Sequence, residues 1–436
     1  MLLESDAAIV RCDPALPGLA TLLDPVAFGD ALRRMAPSAI LESLTPFYSK
    51  YKPGTNCLIG YRLTVNGEPL DIYAKTYPQA SAAGELTKAR ERPGIIGPLG
   101  PGRLALDEIA TVVSVCPNDD KVKALSLLAN DESRAQVLRE LFPQDPKLWQ
   151  VTLHHLKYTP ERRAVLRLDS GGEPQAVLKL YTVRGYETAR RASQRFTSRG
   201  ALQLAPDIGH SDRHQILAFG WLQGRLLSDA MSNPSFAAGE LVPVGAALAE
   251  LHAQDADGLP LQTSADVTAA LLAVADTLGV LVPMIAPRAH ALAQELVTRM
   301  ADIPQSDRPL HGGFHARQVL LADDTAAIID FDHARQGDPA EDLGKFIAHL
   351  ECNVIHGQLT VEQLGTLKES LLKGYVGASG RPIAAHLDVH VAALLLWLAV
   401  KFFRHRKPDW PQRIEAAVAR AEALLAGATS AYREEN

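Results

Sequence analysis

The stretch that decides the fold is LHGGFHARQVLLADDTAAIIDFDHARQGDPAEDLGKF, residues 310–346. Its pattern predicts a loop, a short strand over 319–321, a turn at 323–324, a second short strand over 327–329, and a loop that opens on Asp330. Polar and charged side chains therefore gather at the ends of a small hairpin. This pattern indicates a functional site rather than a core segment.

Helical patterns surround this stretch from residue 225 onward. Residues 244–252 (VGAALAELH) place apolar side chains at i, i+3, i+4 and i+7, and 289–300 and 385–403 are further helix candidates. The most apolar run, 391–400, is about ten residues, half of what a bilayer span needs, and is interpreted as a buried helix. The later part of the chain is thus predicted to be mostly helical.

The first half of the chain contains an internal repeat. Residues 51–77 and 158–181 both begin with Tyr-x-Pro, continue into an alternating strand, turn at Gly-Glu-Pro, and end in a second strand that carries one lysine. These lysines are Lys75 and Lys179. Hairpin turns are predicted at 66–67 and 171–172 because Asn-Gly and Gly-Gly favour two-residue turns. Two meanders that share a turn by chance are the alternative, but the common order of three features argues against it.

The segments that follow each copy match as well. A helix is predicted over 81–91 after the first copy and over 185–196 after the second. Strand candidates come next, and they lie at 103–106, 111–116 and 216–221. This order of strands and helix is that of the small lobe of a kinase-like fold. We therefore expect such a lobe twice, at roughly 40–130 and 150–225.

Several motifs of the second half resemble those of aminoglycoside phosphotransferases and related small-molecule kinases. The motifs are His311-Gly312-Gly313, Gln318, Ile329-Asp330-Phe331-Asp332, Gly337-Asp338-Pro339, Asp342-Leu343, the hinge phrase FGWLQGR at 219–225, and Leu251-His252 at a helix end. The resemblance covers roughly residues 150–410. Gln318, where the family has asparagine, is similar to the glutamine of maltokinase-like members.

The resemblance implies an α+β, protein-kinase-like fold of two lobes, with the small β-rich lobe duplicated and followed by a mostly helical large lobe. The expected domains are an accessory small-lobe-like domain over 1–140, a kinase-like N-lobe over 150–225, and a helical C-lobe over 226–436. The accessory domain is expected to cap the substrate side or to mediate dimerisation. Lys75, with Glu85 nearby in sequence, is expected to be structural.

The resemblance also implies a site for ATP and Mg²⁺. Asp330 and Gln318 are the expected metal ligands, with Asp332 either a second carboxylate ligand or a loop cap. Lys179 is expected to contact the nucleotide phosphates, with Glu187 as its salt-bridge partner. The alternatives are a solvated strand lysine and an unrelated glutamate early in its helix.

Two further elements of the nucleotide site follow from the same resemblance. Backbone groups of Gly220, Trp221 and Leu222 are expected at the adenine ring. ERRAV replaces the usual glycine-rich loop, so Arg162 and Arg163 either touch phosphates or face solvent. His311 and Asp342 are expected to brace the loop and to cap a helix.

At Gly313 the sequence departs from the pattern of the family, which has its catalytic aspartate at this position. A positioned general base contributes about 10²–10⁴ in rate. His315 is the nearest titratable substitute, or else a brace or a surface histidine.

The implied function is ATP-dependent phosphate transfer to a hydroxyl of a small polar molecule such as a sugar or aminoglycoside. The alternatives are a pseudokinase-like protein that binds nucleotide or a partner with impaired catalysis, and a scaffold without nucleotide. Acidic residues of the large lobe, Glu341 and Asp388, either attract a cationic acceptor or are solvated.

The composition limits the remaining classes. The 436 residues carry a net charge of −6, which argues against general nucleic-acid binding. Four dispersed cysteines are interpreted as reduced core thiols of a cytoplasmic protein. Glu4 and Asp6 precede any apolar stretch, so neither a signal peptide nor a membrane partner is predicted. A homodimer is an open expectation.

Overall fold

The computed structural model describes residues 2–322 and 325–434. Its contacts group the chain into two compact units. The first unit consists of Met1–Tyr186, Gly209–Ala218 and Phe402–Trp410, and the second of Glu187–Ile208, Phe219–Lys401 and Pro411–Asn436. Both β-rich copies thus fall largely in the first unit. The three predicted domains divide the chain at other places, and they stay a prediction.

Each β-rich copy forms one five-stranded sheet in the described part of the chain. The first sheet contains β1 (Leu41–Lys52), β2 (Asn56–Val65), β3 (Glu68–Thr76), β4 (Arg103–Leu106) and β5 (Thr111–Val115), in the order β1-β2-β3-β5-β4. The second contains β6 (Thr152–Thr159), β7 (Arg163–Ser170), β8 (Glu173–Tyr181), β10 (Asp207–Ser211) and β11 (Ile216–Gly220), in the order β6-β7-β8-β11-β10. The intervening β9 (Leu202–Gln203) joins another sheet. The two strand orders are equivalent, which confirms the predicted repeat.

The predicted hairpin turns are also confirmed. Asn66 and Gly67 have φ of 52° and 84°, and Gly171 and Gly172 have φ of 63° and 87°. Two successive left-handed residues are the geometry of a two-residue hairpin turn, which explains Asn-Gly and Gly-Gly at these places. Equivalent turns set equivalent registers, and they place Lys75 on β3 and Lys179 on β8.

Helices complete the first unit. They are α1 (Glu4–Cys12), α2 (Leu19–Leu23), α3 (Pro25–Met35), α4 (Gln79–Glu91), α5 (Ala124–Ala129) and α6 (Asp131–Leu141), and α7 (Val183–Ala192) begins in this unit. Asp24 caps α3 by accepting from the N–H of Val26 at 3.0 Å. On α1, the buried Asp6 accepts two hydrogen bonds from Arg406 at 3.0 and 2.6 Å. This ion pair ties the N-terminal helix to the segment near residue 406.

The two sheets share one hydrophobic core. Leu58 and Tyr73 of the first sheet belong to the same buried cluster as Leu166, Leu178 and Ile216 of the second. Side chains of α5 and α6 contribute to the same cluster. The first copy is therefore packed into the first unit as a structural layer.

The second unit is mostly helical, with two small sheets. Its helices are α8 (Leu227–Ala230), α9 (Leu241–His252), α10 (Ser264–Leu281), α11 (Ala286–Ala301), α12 (Pro339–Ile355), α13 (Val361–Ser379), α14 (Leu387–Arg404) and α15 (Trp410–Glu434). The small sheets are β12-β14-β15-β9 and β13-β16, with β12 (Arg225–Leu226), β13 (Arg308–Leu310), β14 (Val319–Ala322), β15 (Thr325–Ile328) and β16 (Arg335–Gly337).

Two glycines allow helices α9 and α13 of this unit to approach each other closely. A Cβ at Gly245 would overlap the carbonyl oxygen of Leu371, and one at Gly374 would overlap that of Val242. Helices α9 and α13 therefore pack backbone against backbone, which side chains at these positions would prevent. The predicted helices over 244–252 and 289–300 are confirmed as parts of α9 and α11, and the one predicted over 385–403 is confirmed as α14, which begins two residues later.

One helix, α10, has the length and composition of a membrane span, with a mean hydropathy of 1.5 and 22% of the window buried. A single such helix is weak support for a span, because core helices of water-soluble proteins pass the same test. The apolar run 391–400 lies within α14 and is buried apart from Trp397 and the half-buried Leu394, as predicted.

The cysteine prediction needs one correction. All four thiols are free, and Cys57 and Cys352 are buried, but Cys12 is exposed and Cys116 is only partly buried. Cys12 is the last residue of α1, whose buried face is formed by other residues. A single apolar residue at a helix end does not by itself indicate the core.

Candidate active site

The hairpin of β14 and β15 brings together the two side chains that were predicted to bind a metal. Val319 pairs with Ile328, and the N–H of Ile329 donates to the carbonyl of Gln318 at 2.9 Å. This backbone contact sets Gln318 beside the loop that opens after the hairpin. Gln318 Nε2 donates to Asp330 Oδ2 at 3.3 Å. The predicted turn at 323–324 lies outside the described residues.

Gln318 and Asp330 have the features of a cation site. Gln318 Oε1 is buried and has no hydrogen-bond partner among the described residues. The nitrogen and oxygen of an amide exchange places by rotation, which would turn this oxygen toward Asp330. Asp330 itself has a φ of 75°, an uncommon conformation that is often associated with functional loops. A carboxylate and an amide oxygen suit Mg²⁺, so these residues fit that ion.

The loop ahead of the hairpin is held by Asp342. Its carboxylate accepts from the N–H of His311 at 2.6 Å and from that of Gly312 at 2.9 Å, and it lies 3.2 Å from His252 Nε2. Burial raises the pKa of Asp342, but the hydrogen bond to His252 and nearby positive groups outweigh it and lower the pKa to about 2. Asp342 is therefore an ionised brace, as predicted. The cap of α12 is Asp338, which accepts from Ala340.

His311 connects this loop to the strand before Asp330. Its Nε2 lies 2.9 Å from the carbonyl of Ile329, to which it donates, and its Nδ1 accepts from the N–H of Gly313 at 3.2 Å. Burial lowers the pKa of His311, which keeps the ring neutral. The structural role expected for His311 agrees with these contacts.

Two basic residues that sequence reasoning missed complete the loop. Lys345 Nζ and Arg335 Nη1 both donate to the carbonyl of Gly312, at 3.0 and 3.2 Å. Lys345 is half-buried, and burial lowers its pKa. It follows Asp342 by three residues on α12, so the two side chains share a helix face. That spacing was the available sequence signal.

The two glycines of the loop differ in the space around them. Gly312 has a φ of 72°, and a Cβ there would overlap the carbonyl oxygen of His333. At Gly313 a Cβ would lie 3.5 Å from Gln318 Nε2 and 3.6 Å from His311 Nδ1, which is ordinary contact. The backbone thus requires glycine at 312 but not at 313.

His315 lies against a second histidine. The ring centroids of His315 and His349 are 4.5 Å apart. Neither His315 Nδ1 nor His349 Nε2 has a hydrogen-bond partner among the described residues. Burial, with a smaller effect of the Lys401 charge, lowers the pKa of His315 to about 3. His315 is therefore neutral at physiological pH, and a weak base.

The predicted nucleotide-binding residues are distributed over both units. Lys179 lies on β8 of the first unit, whereas Glu187 belongs to the second unit, so their pairing stays a prediction. Arg163 begins β7 and is half-buried, while Arg162 is exposed.

The hinge follows β11. Gly220 ends that strand, and its N–H donates to Pro206 at 2.9 Å, so this group is already engaged. The expected roles of Gly220, Trp221 and Leu222 at an adenine ring, and that of the half-buried Asp332 at the metal, stay predictions.

Three acidic residues singled out from the sequence are engaged elsewhere. Glu341 pairs with Arg335, and Asp388 lies 3.4 Å from Lys368. Glu85 pairs with Lys88 one turn along α4, at 2.6 Å. Neither Glu341 nor Asp388 is thus a solvated lone charge, and Glu85 is not the partner of Lys75.

Lys75 instead pairs with the second copy. Its Nζ lies 2.8 and 2.9 Å from the two carboxylate oxygens of Glu161, in the loop between β6 and β7. The structural role expected for Lys75 agrees with this contact.

The duplicated sheet and the braced loop beside Gln318 and Asp330 define a protein of kinase-like α/β fold. Residues 155–362, a span just under half of the chain, match the model of the phosphotransferase enzyme family, APH. Over this span the chain is similar to members of that family. No curated protein sequence matches the chain significantly.

Several solved structures are similar to this chain, and the one with a TM-score of 0.51 shows the same fold. A Ralstonia eutropha JMP134 protein, reported under the provisional name aminoglycoside phosphotransferase, is 15% identical with a TM-score of 0.51, over 67% of this chain and 98% of that one. A thermostable mutant of the aminoglycoside phosphotransferase APH(4)-Ia, in a ternary complex with AMP-PNP and hygromycin B, is 18% identical with a TM-score of 0.48, over 67% and 98%. The macrolide 2'-phosphotransferase MphH from Brachybacterium faecium is 17% identical with a TM-score of 0.43, over 66% and 97%. At such identities the likeness concerns the fold alone.

Proposed function

We propose that the protein is an ATP-dependent phosphotransferase that acts on a hydroxyl of a small polar molecule, such as a sugar or an aminoglycoside. The observation that carries the proposal is the pairing of Gln318 with Asp330. The amide nitrogen of Gln318 meets the Asp330 carboxylate there, at the end of a hairpin within a family-matched span, and the buried amide oxygen has no partner among the described residues. A discarded site has no physical reason to keep this arrangement.

Phosphate transfer depends on positioning and charge neutralisation more than on covalent chemistry. Mg²⁺, when bound, would neutralise charge on the phosphate oxygens. Asp330 and Gln318 would hold the ion, with Asp332 as a further carboxylate. Asp342, Lys345 and Arg335 fix the loop at Gly312, so that the acceptor would meet a rigid backbone.

The nucleotide would be held by residues of both sheet and hinge. Lys179 is proposed at the phosphates, with Glu187 as its partner and Arg163 as a further phosphate contact. Backbone groups of Gly220, Trp221 and Leu222 are proposed at the adenine. We also propose a cytoplasmic protein that acts without nucleic acid or membrane, and a homodimer as the assembly to test.

Thermal unfolding with nucleotide tests this proposal. The melting temperature of the wild type should rise with AMP-PNP and Mg²⁺ together, and a ligand at 100 times its Kd stabilises by about 2.7 kcal/mol. In the Asp330→Asn variant, most of the Mg²⁺-dependent rise in melting temperature should be lost. Asp276→Asn, which changes an exposed carboxylate of α10, should behave as the wild type. A wild type that responds to no ATP or GTP analogue, with or without Mg²⁺, contradicts the proposal.

A second function, a pseudokinase-like nucleotide- or partner-binding protein, is favoured by two observations. Gly313 occupies the position of the family's catalytic aspartate, and burial makes His315 a weak base with a pKa of about 3. Loss of a general base costs about 10²–10⁴ in rate while leaving the electrostatic contributions in place. Binding would then persist while turnover became slow or undetectable.

Two variants discriminate between these functions. ADP release is measured with a panel of sugars and aminoglycosides for the wild type, Gly313→Asp and His315→Ala. Turnover by the wild type that His315→Ala abolishes supports the active enzyme. A silent wild type and a Gly313→Asp variant that turns over support impaired catalysis. The space around Gly313 admits the new side chain at its Cβ, so misfolding is not expected.

A further inference from the structure

A second cluster of possible metal ligands lies away from Gln318 and Asp330 within the second unit. Asp338, His386 and His390 each offer one ligand atom, and these atoms all lie within 4.8 Å of one another. Asp338 precedes α12, His386 directly precedes α14, and His390 lies one turn further along it. Side chains four residues apart lie on the same helix face, so both imidazoles point toward the same carboxylate.

The two oxygens of Asp338 have separate partners. Oδ1 accepts from the N–H of Ala340 at 2.8 Å and thereby caps α12. Oδ2 lies 2.6 Å from His386 Nε2 and 3.8 Å from His390 Nε2. One oxygen thus serves the helix, and the other faces both imidazoles.

The hydrogen bonds within this cluster do not account for the burial of the His390 imidazole. Its side chain is only 6% exposed, and its Nε2 has no hydrogen-bond partner among the described residues. Buried polar atoms are nearly always paired, and an exception indicates a missing ligand, ion or water. The unpaired atom lies 3.8 Å from Oδ2 of Asp338, the oxygen that also contacts His386.

The position of His390 is fixed by close backbone packing. A Cβ at Gly344 of α12 would lie 2.9 Å from His390 Cβ and 3.2 Å from the backbone nitrogen of Val391. Glycine at 344 therefore lets α14 approach α12 closely enough for the imidazoles to reach Asp338. The cluster is built on two helices rather than on loops.

We propose that Asp338, His386 and His390 form a site for a first-row transition-metal ion of the Zn²⁺ type. Two imidazoles and one carboxylate suit such an ion and leave a fourth position for water, whereas Mg²⁺ and Ca²⁺ prefer oxygen ligands. Tetrahedral zinc places its ligand atoms about 3.4 Å apart, so shifts of about 1 Å bring the three atoms to that geometry. Asp338 and His386 are 18% and 20% exposed, which gives the ion a path from solvent.

Metal binding would replace the contact of Asp338 with His386.

The experiment uses the full chain, free of any affinity tag and stripped with a chelator. Titration calorimetry with ZnCl₂ should show one ion per chain, and Co²⁺ should give visible d–d absorption of imidazole ligation. Asp338→Asn, which keeps an oxygen for the helix cap, and His386→Ala should each weaken zinc binding at least about tenfold. MgCl₂ should give no comparable heat.

A matched control is available on the surface. His290 and Asp276 form a histidine–aspartate pair at 2.9 Å that is more exposed than the cluster. His290→Ala should leave the zinc affinity unchanged. Because His390→Ala opens a buried position, His390→Asn is used beside it, with circular dichroism as the check of folding. Zinc binding that is absent from the wild type, or equal in the wild type and His386→Ala, overturns the proposal and leaves a hydrogen-bonded cluster only.

Discussion

Lys75, on the third strand of the first sheet, forms an ion pair with Glu161, in the turn between the first two strands of the second sheet. The Nζ lies 2.8 and 2.9 Å from the carboxylate oxygens, and both side chains are about 15% exposed. Glu161 has a φ of 56°, and its N–H donates to the buried Asp119 at 2.8 Å. Lys75, the counterpart of Lys179 in the first copy of the repeat, thus holds the loop between β6 and β7.

Removing this lysine should destabilise the first unit. Lys75→Met leaves a largely buried carboxylate without its partner, and we expect a loss of about 2–3 kcal/mol in the free energy of unfolding. Denaturant unfolding of the first unit measures this loss. Glu161→Gln, made in the wild type and in Lys75→Met, gives the coupling energy between Lys75 and Glu161. Lys88→Met removes an exposed pair on α4 and should cost less than about 1 kcal/mol. Equal effects of Lys75→Met and Lys88→Met contradict the prediction.

Adjacent glycines of the braced loop should respond very differently to alanine. Gly312→Ala places a side chain at a φ of 72° and against the carbonyl of His333, so we expect a loss of about 3 kcal/mol or more. Gly313→Ala meets only ordinary contacts and should cost about 1 kcal/mol or less. Thermal and denaturant unfolding of both variants measure the difference. Similar losses at the two positions would show that the loop is not fixed as described.

The buried histidines should make stability fall on acidification. His315 has a pKa of about 3 in the folded protein and near 6.5 when unfolded, so between these values the unfolded chain binds the extra proton. The stability that the neutral His315 contributes to the folded state is complete above about pH 6.5 and is lost as the pH falls toward 3.

His315→Asn should therefore reduce the slope of stability against pH, by up to about 1.4 kcal/mol per pH unit between pH 6 and 4. Unfolding free energies measured at several pH values check this, with His290→Ala as the control at an exposed histidine. An unchanged slope would mean that His315 titrates normally in the folded state.

Thiol labelling should separate the cysteines. Cys12 is exposed, whereas burial raises the pKa of Cys57, Cys116 and Cys352 to about 12. Since the thiolate is the reactive form, we expect one thiol to react rapidly with a disulfide reagent and the others only on unfolding. Cys12→Ser should abolish the rapid phase, and a rapid phase that survives in this variant would contradict the assignment.

The local features of the fold were predictable because short-range rules decide them. Asn66-Gly67 and Gly171-Gly172 require left-handed conformations that favour these residues, and the hairpin before Asp330 follows from two short apolar runs separated by Asp323-Asp324 in the sequence. Even the start of α9 at Leu241, earlier than predicted, has a local reason: Pro243 is tolerated in a first turn, where its missing N–H has no partner to lose.

The remaining features depend on contacts between distant residues. Lys75 and Glu161 are 86 positions apart, and nothing in either segment indicates the other. The donation of Lys345 and Arg335 to the Gly312 carbonyl depends on how α12 packs against the loop. The alignment of Asp338 with His390 likewise depends on Gly344 and on two helices that meet only in the folded unit.

The core common to both sheets has a practical consequence for anyone who trims the protein. A fragment cut to the family-matched span would expose Leu166 and Leu178, which the folded chain covers with partners such as Leu58 and Tyr73. Deletion of the C-terminal part of the chain would remove Arg406 and leave the buried Asp6 carboxylate without its ion-pair partner. Recombinant fragments of either kind should aggregate, so domain dissection is a poor route to a folded preparation.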